Sequence, residues 1–277
     1  MGKKVLIAYA DDNMAYSLRR IGKQARNLGI FDDVVLWTPN DLPEYIQSSP
    51  LMKYKYGGGY WAWKPCVIHE TLQRYEEGTV ICYVDAGCTL DNGNEWILWT
   101  EIMKEYDTLL FKYRDEMPCW DKFGSVSTKI KHWTKKNSIL FYDRMTGGED
   151  WRDLNKIWGG CLFVKGKKNQ FVRKWLDIVI NNPEVIIDPS EEECKDQYSF
   201  FALHKHDQSL LTALSYLYHN ECIVLPELSE TCGPEVAVYA SRIRAKCFLD
   251  YIIFKMKMCA RSILGNNLYE KIKGGIK

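Results

Sequence analysis

The sequence predicts a doubly wound α/β sheet in a single domain, and two stretches indicate this most clearly. Residues 78–88 form a β-branched run that ends in Asp85-Ala86-Gly87, which is typical of a buried strand bringing a carboxylate to its carboxyl edge. Residues 5–9 and 34–37 are predicted strands, separated by a predicted helix over 16–28. A strand–helix–strand opening implies a parallel pair with a right-handed crossover.

The rest of the chain continues the alternation of strands and helices, without an internal repeat. Further strands are predicted over 109–111, 158–164 and 223–225, and helices over 66–75, 171–180 and 207–218. Residues 114–156 have weak periodicity, which predicts a functional loop or lid. With 277 residues, we expect one large domain over 1–240 and a tail over 241–277.

Cysteine usage and the first residues predict a reducing, cytoplasmic environment. The 10 cysteines form no Cys-x-x-Cys pair and no zinc-site spacing, so we expect free thiols. The N-terminus lacks the apolar core and cleavage site of a signal peptide. The sequence contains no apolar run of about 18 residues, which argues against a membrane-spanning helix.

Charge is distributed unevenly between the body and the tail. Residues 240–277 hold nine Lys or Arg against two acidic residues, a charge of +7, whereas the rest holds 28 basic and 34 acidic residues, a charge of −6. This balance argues against nucleic-acid binding by the body. Residues 241–264 predict a basic amphipathic helix, which favours peripheral binding to the inner membrane face. The alternative is a terminal helix docked on its own domain.

Five segments carry the residues that favour a function. The first strand runs into Tyr9-Ala10-Asp11-Asp12-Asn13, Lys64 opens the helix before the key strand, and that strand ends in Asp85-Ala86-Gly87. Trp158-Gly159-Gly160 and His204-Lys205-His206-Asp207-Gln208-Ser209 come later. Taken singly, Asp85 and Asp207 are also compatible with simple capping of a loop or a helix.

In this order the segments resemble the GT-A glycosyltransferases of the glycogenin and bacterial galactosyltransferase type, family eight. The resemblance covers roughly residues 4–226 and implies a GT-A fold with a mixed sheet. It implies that the donor is bound by an opening turn that reads base and ribose, by a lysine, by the Tyr-x-Asp strand end and by a glycine pair. These residues are Tyr9, Ala10, Asp11, Asp12, Asn13, Lys64, Asp85, Ala86, Gly87, Gly159 and Gly160.

Three shorter motifs are similar to bacterial transferases of surface-polysaccharide loci, such as those for lipopolysaccharide or capsule. They are residues 59–65, 133–135 and 204–209. The resemblance implies a nucleotide-sugar donor and a saccharide acceptor, in some relatives lipid-linked. The residues that these motifs place at the acceptor or on a nearby loop are Trp61, Trp63, Trp133, Lys135, His204 and His206.

The metal motif of the family is Asp-x-Asp, and here its third position is Gly87. The resemblance implies Mn²⁺ or Mg²⁺ at Asp85, with the ion neutralising the leaving diphosphate. Because hard cations need several oxygen ligands, a second ligand is required, and Asp91 and His206 are the candidates. Alternatively Lys64, Lys135 or Arg144 carries the positive charge without a metal.

The resemblance places Asp207, Gln208 and Asp85 at the catalytic centre of a hexosyltransferase that uses a UDP-sugar. Gln208 is a poor base and nucleophile, so the Asp-Gln pair favours retention of anomeric configuration. If Asp207 instead acts as a general base, the enzyme inverts. The alternative to an enzyme is a non-catalytic protein that binds sugar nucleotides or glycans on the same fold, an alternative suggested by the missing second Asp.

Overall fold

The computed structural model describes residues 2–114, 126–230 and 232–264. The strands in these ranges are β1 (Lys4–Tyr9), β2 (Asp33–Trp37), β3 (Val80–Val84), β4 (Thr89–Leu90), β5 (Thr108–Lys112), β6 (Ile157–Lys165), β7 (Cys222–Pro226) and β8 (Val238–Tyr239). The helices are α1 (Ala15–Leu28), α2 (Glu44–Gln47), α3 (Gly57–Tyr60), α4 (Trp63–Arg74), α5 (Glu95–Glu105), α6 (Lys136–Thr146), α7 (Gln170–Asn181), α8 (His206–Leu217) and α9 (Phe248–Leu264).

The main sheet has six strands in the order β2-β1-β3-β6-β5-β7. Strand β6 is antiparallel to both of its neighbours, and the other adjacent pairs are parallel. The predicted doubly wound, mixed α/β sheet is therefore confirmed. Because the chain goes from β1 outward to β2 and returns to place β3 on the other side of β1, the topological switch point lies between β1 and β3.

The central strands are apolar throughout because both faces of the sheet are covered. Residues 5–8 of β1 are fully buried, and every residue of β3 is buried. Helix α1 ends where Gly29 adopts a left-handed conformation, with φ of 65°. These two strands and this helix agree with the prediction to within two residues at each end.

Residues 114–156 are only partly the loop that the weak periodicity predicts. Residues 115–125 lie outside the described part of the chain, but 136–146 form helix α6, so the expectation of a loop is wrong there. The pattern is weak because Ser138 faces the core, where its hydroxyl donates to Val185 O at 2.6 Å. Helix α5 is a further element that the predicted pattern does not include.

The tail is helical over a shorter range than the predicted 241–264, because α9 begins at Phe248. Before it, the chain is held against the body by backbone hydrogen bonds. Ile243 N donates to Gly87 O at 2.9 Å, and Ala245 N donates to Ser17 Oγ at 3.0 Å. These contacts take the backbone groups that a helix would use internally. Within the described ranges, no helix is long and apolar enough to cross a membrane.

Candidate active site

Three charged side chains meet at the carboxyl edge of the sheet, and we call them the lysine cluster: Lys64, Asp85 and Asp207. Lys64 Nζ donates to Asp207 Oδ2 at 2.8 Å and lies 3.6 Å from Asp85 Oδ1. Helix α4, the end of β3 and the start of α8 supply the three residues. We call the space outside the carboxyl ends of β1 and β3, bordered by Asp85 and Asp207, the crevice.

Lys64 is only 1% exposed, so its charge depends on its partners. Burial by itself lowers the pKa of Lys64, but Asp207 and Asp85 outweigh that effect and hold the pKa above its ordinary value of 10.5. The ammonium group also donates to Gly159 O at 2.9 Å. Lys64 is therefore a permanently charged group fixed by two carboxylates and one carbonyl oxygen.

Asp85 faces the crevice, with 40% of its side chain exposed. Its Oδ1 accepts a hydrogen bond of 2.6 Å from the Tyr83 hydroxyl. Burial, followed by Asp85, raises the pKa of Tyr83 well above its ordinary value, so this phenol stays protonated and acts as a donor. One oxygen of Asp85 is thereby fixed, and no hydrogen bond from a described residue reaches the other.

Two glycines in the first half of β6, Gly159 and Gly160, allow close approach to the lysine cluster. A Cβ at Gly159 would lie 3.0 Å from Asp207 Oδ2 and 3.4 Å from Lys64 Nζ. A Cβ at Gly160 would lie 2.3 Å from the ring of Trp158, and Gly160 O accepts from Asp85 N at 2.9 Å. A side chain at either position would force neighbouring side chains to move, so packing favours glycine at both, whether or not a ligand approaches.

The opening turn lies on the other side of the switch point. Asp11 caps a short 3₁₀ turn, with its Oδ1 accepting from Asn13 N at 3.0 Å, and Asp12 and Asn13 are exposed. Tyr9 is buried and stacks on Trp63, with ring centroids 4.0 Å apart. Ala10 and Ala86 are also buried. Of the predicted donor-binding residues in this turn, Asp11, Asp12 and Asn13 therefore lie at the surface, whereas Tyr9 packs in the core beneath them.

A left-handed turn lies beside the start of α8. Residues 57–61 all have positive φ, including the non-glycine residues Tyr60 (53°) and Trp61 (59°). His206 is also left-handed, with φ of 44°. Such conformations cost on the order of 1–3 kcal/mol each in non-glycine residues and cluster at functional sites. The glycine run therefore serves to form this turn.

The aromatic side chains of that turn surround His206, and we call Tyr56, Tyr60, Trp61 and His206 the aromatic pocket wall. The ring centroids of Tyr56, Tyr60 and Trp61 lie 5.2, 5.0 and 5.7 Å from that of His206. Asp188 Oδ2 accepts from the Tyr60 hydroxyl at 3.0 Å, and Asp188 Oδ1 lies 3.6 Å from His206 Nε2. His206 directly precedes Asp207, so this wall adjoins the lysine cluster.

The motif at 133–135 supports α8 and the chain leading into it. Lys135 N donates to His204 Nδ1 at 3.3 Å, and His204 Nε2 bonds to Val185 O at 3.1 Å. Trp133 O accepts from Ser209 Oγ at 2.8 Å, and Lys135 Nζ lies 3.4 Å from Glu193 Oε1. These contacts place Trp133, Lys135 and His204 behind the crevice, so their predicted acceptor role lacks an exposed surface.

Gln208 lies one residue beyond the lysine cluster. Its amide oxygen is buried and has no hydrogen-bond partner among the described residues. A buried acceptor without a partner is costly, and such groups are found where a ligand or water completes the bonding. Gln208 directly follows Asp207, and both are predicted for the catalytic centre. The Gln208 amide oxygen is therefore an acceptor that is available to a ligand next to the Asp207 carboxylate.

The residues at this edge do not by themselves fit a divalent cation. The Lys64 ammonium group already lies beside Asp85, and Gly87 supplies no ligand. Asp91 Oδ1 accepts from Asn92 N at 2.7 Å, and His206 bonds to Ile186 O, with no contact from either to Asp85. Within the described ranges, no group of three His, Cys, Asp or Glu side chains is arranged to hold a metal.

Two residues near the crevice were not predicted from the sequence. Asp188 joins the aromatic pocket wall from the segment after α7, and Arg244 comes from the irregular segment before α9. Neither belongs to a motif or a periodic pattern. For Arg244, the single signal available in the sequence is its place in the basic tail.

No family model and no curated protein sequence matches the chain. Several solved glycosyltransferase structures are similar to it at low identity. A glycosyltransferase involved in glycosylation of the major capsid of PBCV-1 is 9% identical, with a TM-score of 0.46 over 92% of this chain and 99% of that one. Mouse xyloside xylosyltransferase 1 is 12% identical, with a TM-score of 0.42 over 85% and 96%.

The galactosyltransferase LgtC, solved with donor and acceptor sugar analogues, is also similar. It is 12% identical, with a TM-score of 0.34 over 79% of this chain and 72% of that one. All three likenesses have TM-scores below 0.5.

Proposed function

We propose that the protein is a GT-A-type glycosyltransferase that moves a hexose or N-acetylhexosamine from a nucleotide sugar, with UDP as the nucleotide, to a saccharide acceptor. The observation that carries this proposal is the lysine cluster, in which Lys64, Asp85 and Asp207 meet at the switch point of the sheet. Ligands of open α/β sheets bind in the crevice at this point.

The donor lies across the crevice from the opening turn to the lysine cluster. The exposed Asp12 and Asn13, with Asp11 as the cap that fixes their backbone, supply polar groups for base and ribose on the β1 side. The free oxygen of Asp85 faces the donor on the β3 side. This assignment follows the family resemblance and uses the residues that the fold leaves exposed.

The transfer retains the anomeric configuration in our proposal. The bond between the anomeric carbon and the diphosphate oxygen breaks, and its electron pair leaves with UDP. The acceptor oxygen bonds to the same face of that carbon, and its proton passes to the departing diphosphate. Because Lys64 Nζ already donates a hydrogen bond of 2.8 Å to Asp207 Oδ2, Asp207 orients the sugar instead of removing a proton. The buried amide oxygen of Gln208, which has no partner among the described residues, accepts a hydrogen bond from the sugar.

The aromatic pocket wall provides the sugar-binding side of the crevice. Aromatic rings pack against the apolar face of a sugar ring, and two members of the wall are accessible: Tyr56 is 53% exposed and Trp61 is partly exposed. Asp188, fixed by the Tyr60 hydroxyl, has half of its side chain exposed and is available to sugar hydroxyl groups. The acceptor is a surface glycan or a lipid-linked saccharide, as the resemblance implies.

Helix α9 holds the protein on the inner face of the membrane. Apolar side chains on it are exposed, with Leu249 at 64%, Met256 at 66% and Ile263 at 77%. Lys255 and Lys257 lie among them, and such helices bind anionic lipid surfaces. A lipid-linked acceptor would meet the enzyme at that surface.

A second candidate function is a protein that binds sugar nucleotides without catalysing transfer. Gly87 in place of the second motif carboxylate favours this alternative, because it removes a ligand that a metal-dependent transferase needs. Nucleotide binding alone does not separate the two candidates. Turnover of any donor would exclude the second candidate.

A thermal-shift panel with UDP, GDP, CDP and CMP, each with and without Mn²⁺, tests the proposal. A ligand at about 100 times its dissociation constant adds roughly 2.7 kcal/mol to the free energy of unfolding, which is readily measured. We expect UDP to stabilise the protein most. Because Mn²⁺ or Mg²⁺ at Asp85 stays a prediction, the metal arms show whether an ion takes part. No shift with any nucleotide would remove the basis of the enzyme proposal.

A further inference from the structure

The position of the missing motif carboxylate is bordered by the irregular segment before α9, which carries two arginines. Ile243 N donates to Gly87 O at 2.9 Å, and Ser241 Oγ donates to the same oxygen at 3.0 Å. The carbonyl oxygen of Ile243 lies 3.4 Å from the place where a Cβ of residue 87 would stand. This segment is therefore fixed directly beside the end of the motif.

Side chains of the segment alternate between the body and solvent. Ile243 and Ala245 are 2% and 1% exposed, and Ser17 fixes both through hydrogen bonds with Ile243 O and Ala245 N. Arg242 and Arg244 therefore both point outward. The guanidinium group of Arg242 is already used, since it lies 2.9 Å from Glu230 Oε2. No ion pair with a described residue involves Arg244.

The Arg244 guanidinium lies close enough to Tyr56, one member of the aromatic pocket wall, to affect the pKa of its phenol. Burial raises the pKa of Tyr56, Asp188 raises it further, and the Arg244 guanidinium opposes both. Asp207 of the lysine cluster acts on the same phenol. Arg244 thus directly follows Ile243, whose backbone bonds to Gly87, and its exposed side chain carries a positive charge close to Tyr56 and Asp207. This places a cation at the mouth of the crevice.

We propose that Arg244 binds the diphosphate of the donor and carries the charge that a metal ion carries in enzymes with the full Asp-x-Asp motif. A carboxylate plus a divalent cation has one net positive charge, and a glycine plus an arginine has the same. The planar guanidinium group binds phosphate oxygens in a bidentate manner. Lys64 is not available for this role, since Asp207 and Gly159 already occupy its ammonium group.

This inference rests on the proposed function, because it takes the ligand to be a nucleoside diphosphate. The experiment measures dissociation constants of UDP and UMP by calorimetry in EDTA and in Mn²⁺, for wild type, Arg244→Gln, Arg244→Lys and Lys246→Gln. Lys246 is a matched control: it is exposed on the same segment two residues along, and its substitution removes the same charge. Equal melting temperatures show that the variants are folded.

In EDTA we expect wild type and Lys246→Gln to bind UDP more tightly than UMP. Arg244→Gln should weaken UDP binding about tenfold to hundredfold, which corresponds to one charged hydrogen-bonding partner, with little effect on UMP. Arg244→Lys should lie between, because it keeps the charge without the planar fork. If Arg244→Gln keeps the wild-type preference for UDP, or UDP binding requires Mn²⁺, the inference is overturned while the proposed function stands. If no nucleotide binds, both fall.

Discussion

The lysine cluster and helix α9 both contain lysines, but the lysine of the cluster is buried and fixed, whereas those of α9 are exposed to solvent. In the cluster, Lys64 is buried and fixed by Asp207 at 2.8 Å and Gly159 O at 2.9 Å. In α9, lysines lie in solvent among exposed apolar side chains, and contact with the body runs through Tyr16, whose ring centroid is 5.4 Å from that of Tyr251.

This difference separates a preorganised site from an adaptable surface. Charges that are fixed and partly desolvated before a ligand arrives stabilise developing charge without reorganisation. Exposed lysines and apolar side chains instead suit a partner without a fixed shape, such as a lipid surface. The two regions should therefore respond independently to mutation.

Lys64→Met should have the largest effect on stability. It leaves Asp207 buried without its cation, and breaking a buried ion pair costs about 3–5 kcal/mol. Denaturant unfolding of the purified variant measures the loss. The double variant Lys64→Met with Asp207→Asn removes both charges and should recover most of the stability. If Lys64→Met alone is as stable as wild type, Lys64 and Asp207 do not form a buried ion pair.

Deletion of residues 248–277 should weaken binding to anionic vesicles about a hundredfold and leave UDP binding unchanged. The deletion begins at 248 because the segment before it packs on Gly87 and Ser17. A full-length variant with Leu249→Asp and Met256→Asp tests the same face. Vesicle co-sedimentation measures the effect. Unchanged binding by both proteins would mean that α9 is not the membrane surface.

Lowering the pH should destabilise the protein through His204. Burial, His206 and Lys135 hold the pKa of His204 well below its ordinary value of 6.5, so the native state keeps this ring neutral. The free energy of unfolding is therefore independent of His204 above about pH 6.5. Below that pH it falls by up to about 1.4 kcal/mol for each pH unit. His206 acts in the same direction, because burial lowers its pKa as well.

Unfolding free energies from pH 8 to pH 5 measure this slope. His204→Gln should reduce it, and His219→Gln, at an exposed position, should not. The sign follows because the unfolded chain binds the proton more readily than the native state. Equal slopes in wild type and His204→Gln would refute the assignment.

Elements with a continuous apolar run were predictable from the sequence alone, as β1 and β3 demonstrate. Helix α6 was missed because Ser138 uses a side-chain hydrogen bond to face the core, which breaks the apolar period. The start of α9 was placed seven residues too early. Residues 241–247 have a pattern compatible with a helix, but hydrogen bonds to Gly87 and Ser17 take backbone groups that a helix would use internally.

The candidate site was predictable only where a motif marks it. Family resemblance indicated Lys64, Asp85 and Asp207, and the structure brings these three together. Asp188 and Arg244 were not predictable, since they reach the crevice from irregular segments by tertiary packing. His204 and Lys135 are near the site in sequence but are engaged behind it.

Release of UDP from a panel of UDP-hexoses and UDP-N-acetylhexosamines, with and without saccharide acceptors, distinguishes a glycosyltransferase from a protein that only binds nucleotides. Wild type is compared with Asp85→Ala and with Asp177→Asn, which alters an exposed carboxylate on α7 paired with Lys174 at 3.0 Å. We predict acceptor-dependent turnover of one donor, lost by about a hundredfold or more in Asp85→Ala and kept in Asp177→Asn. Turnover that survives Asp85→Ala would exclude Asp85 from the active site, and UDP binding without any turnover in wild type would exclude the transferase activity.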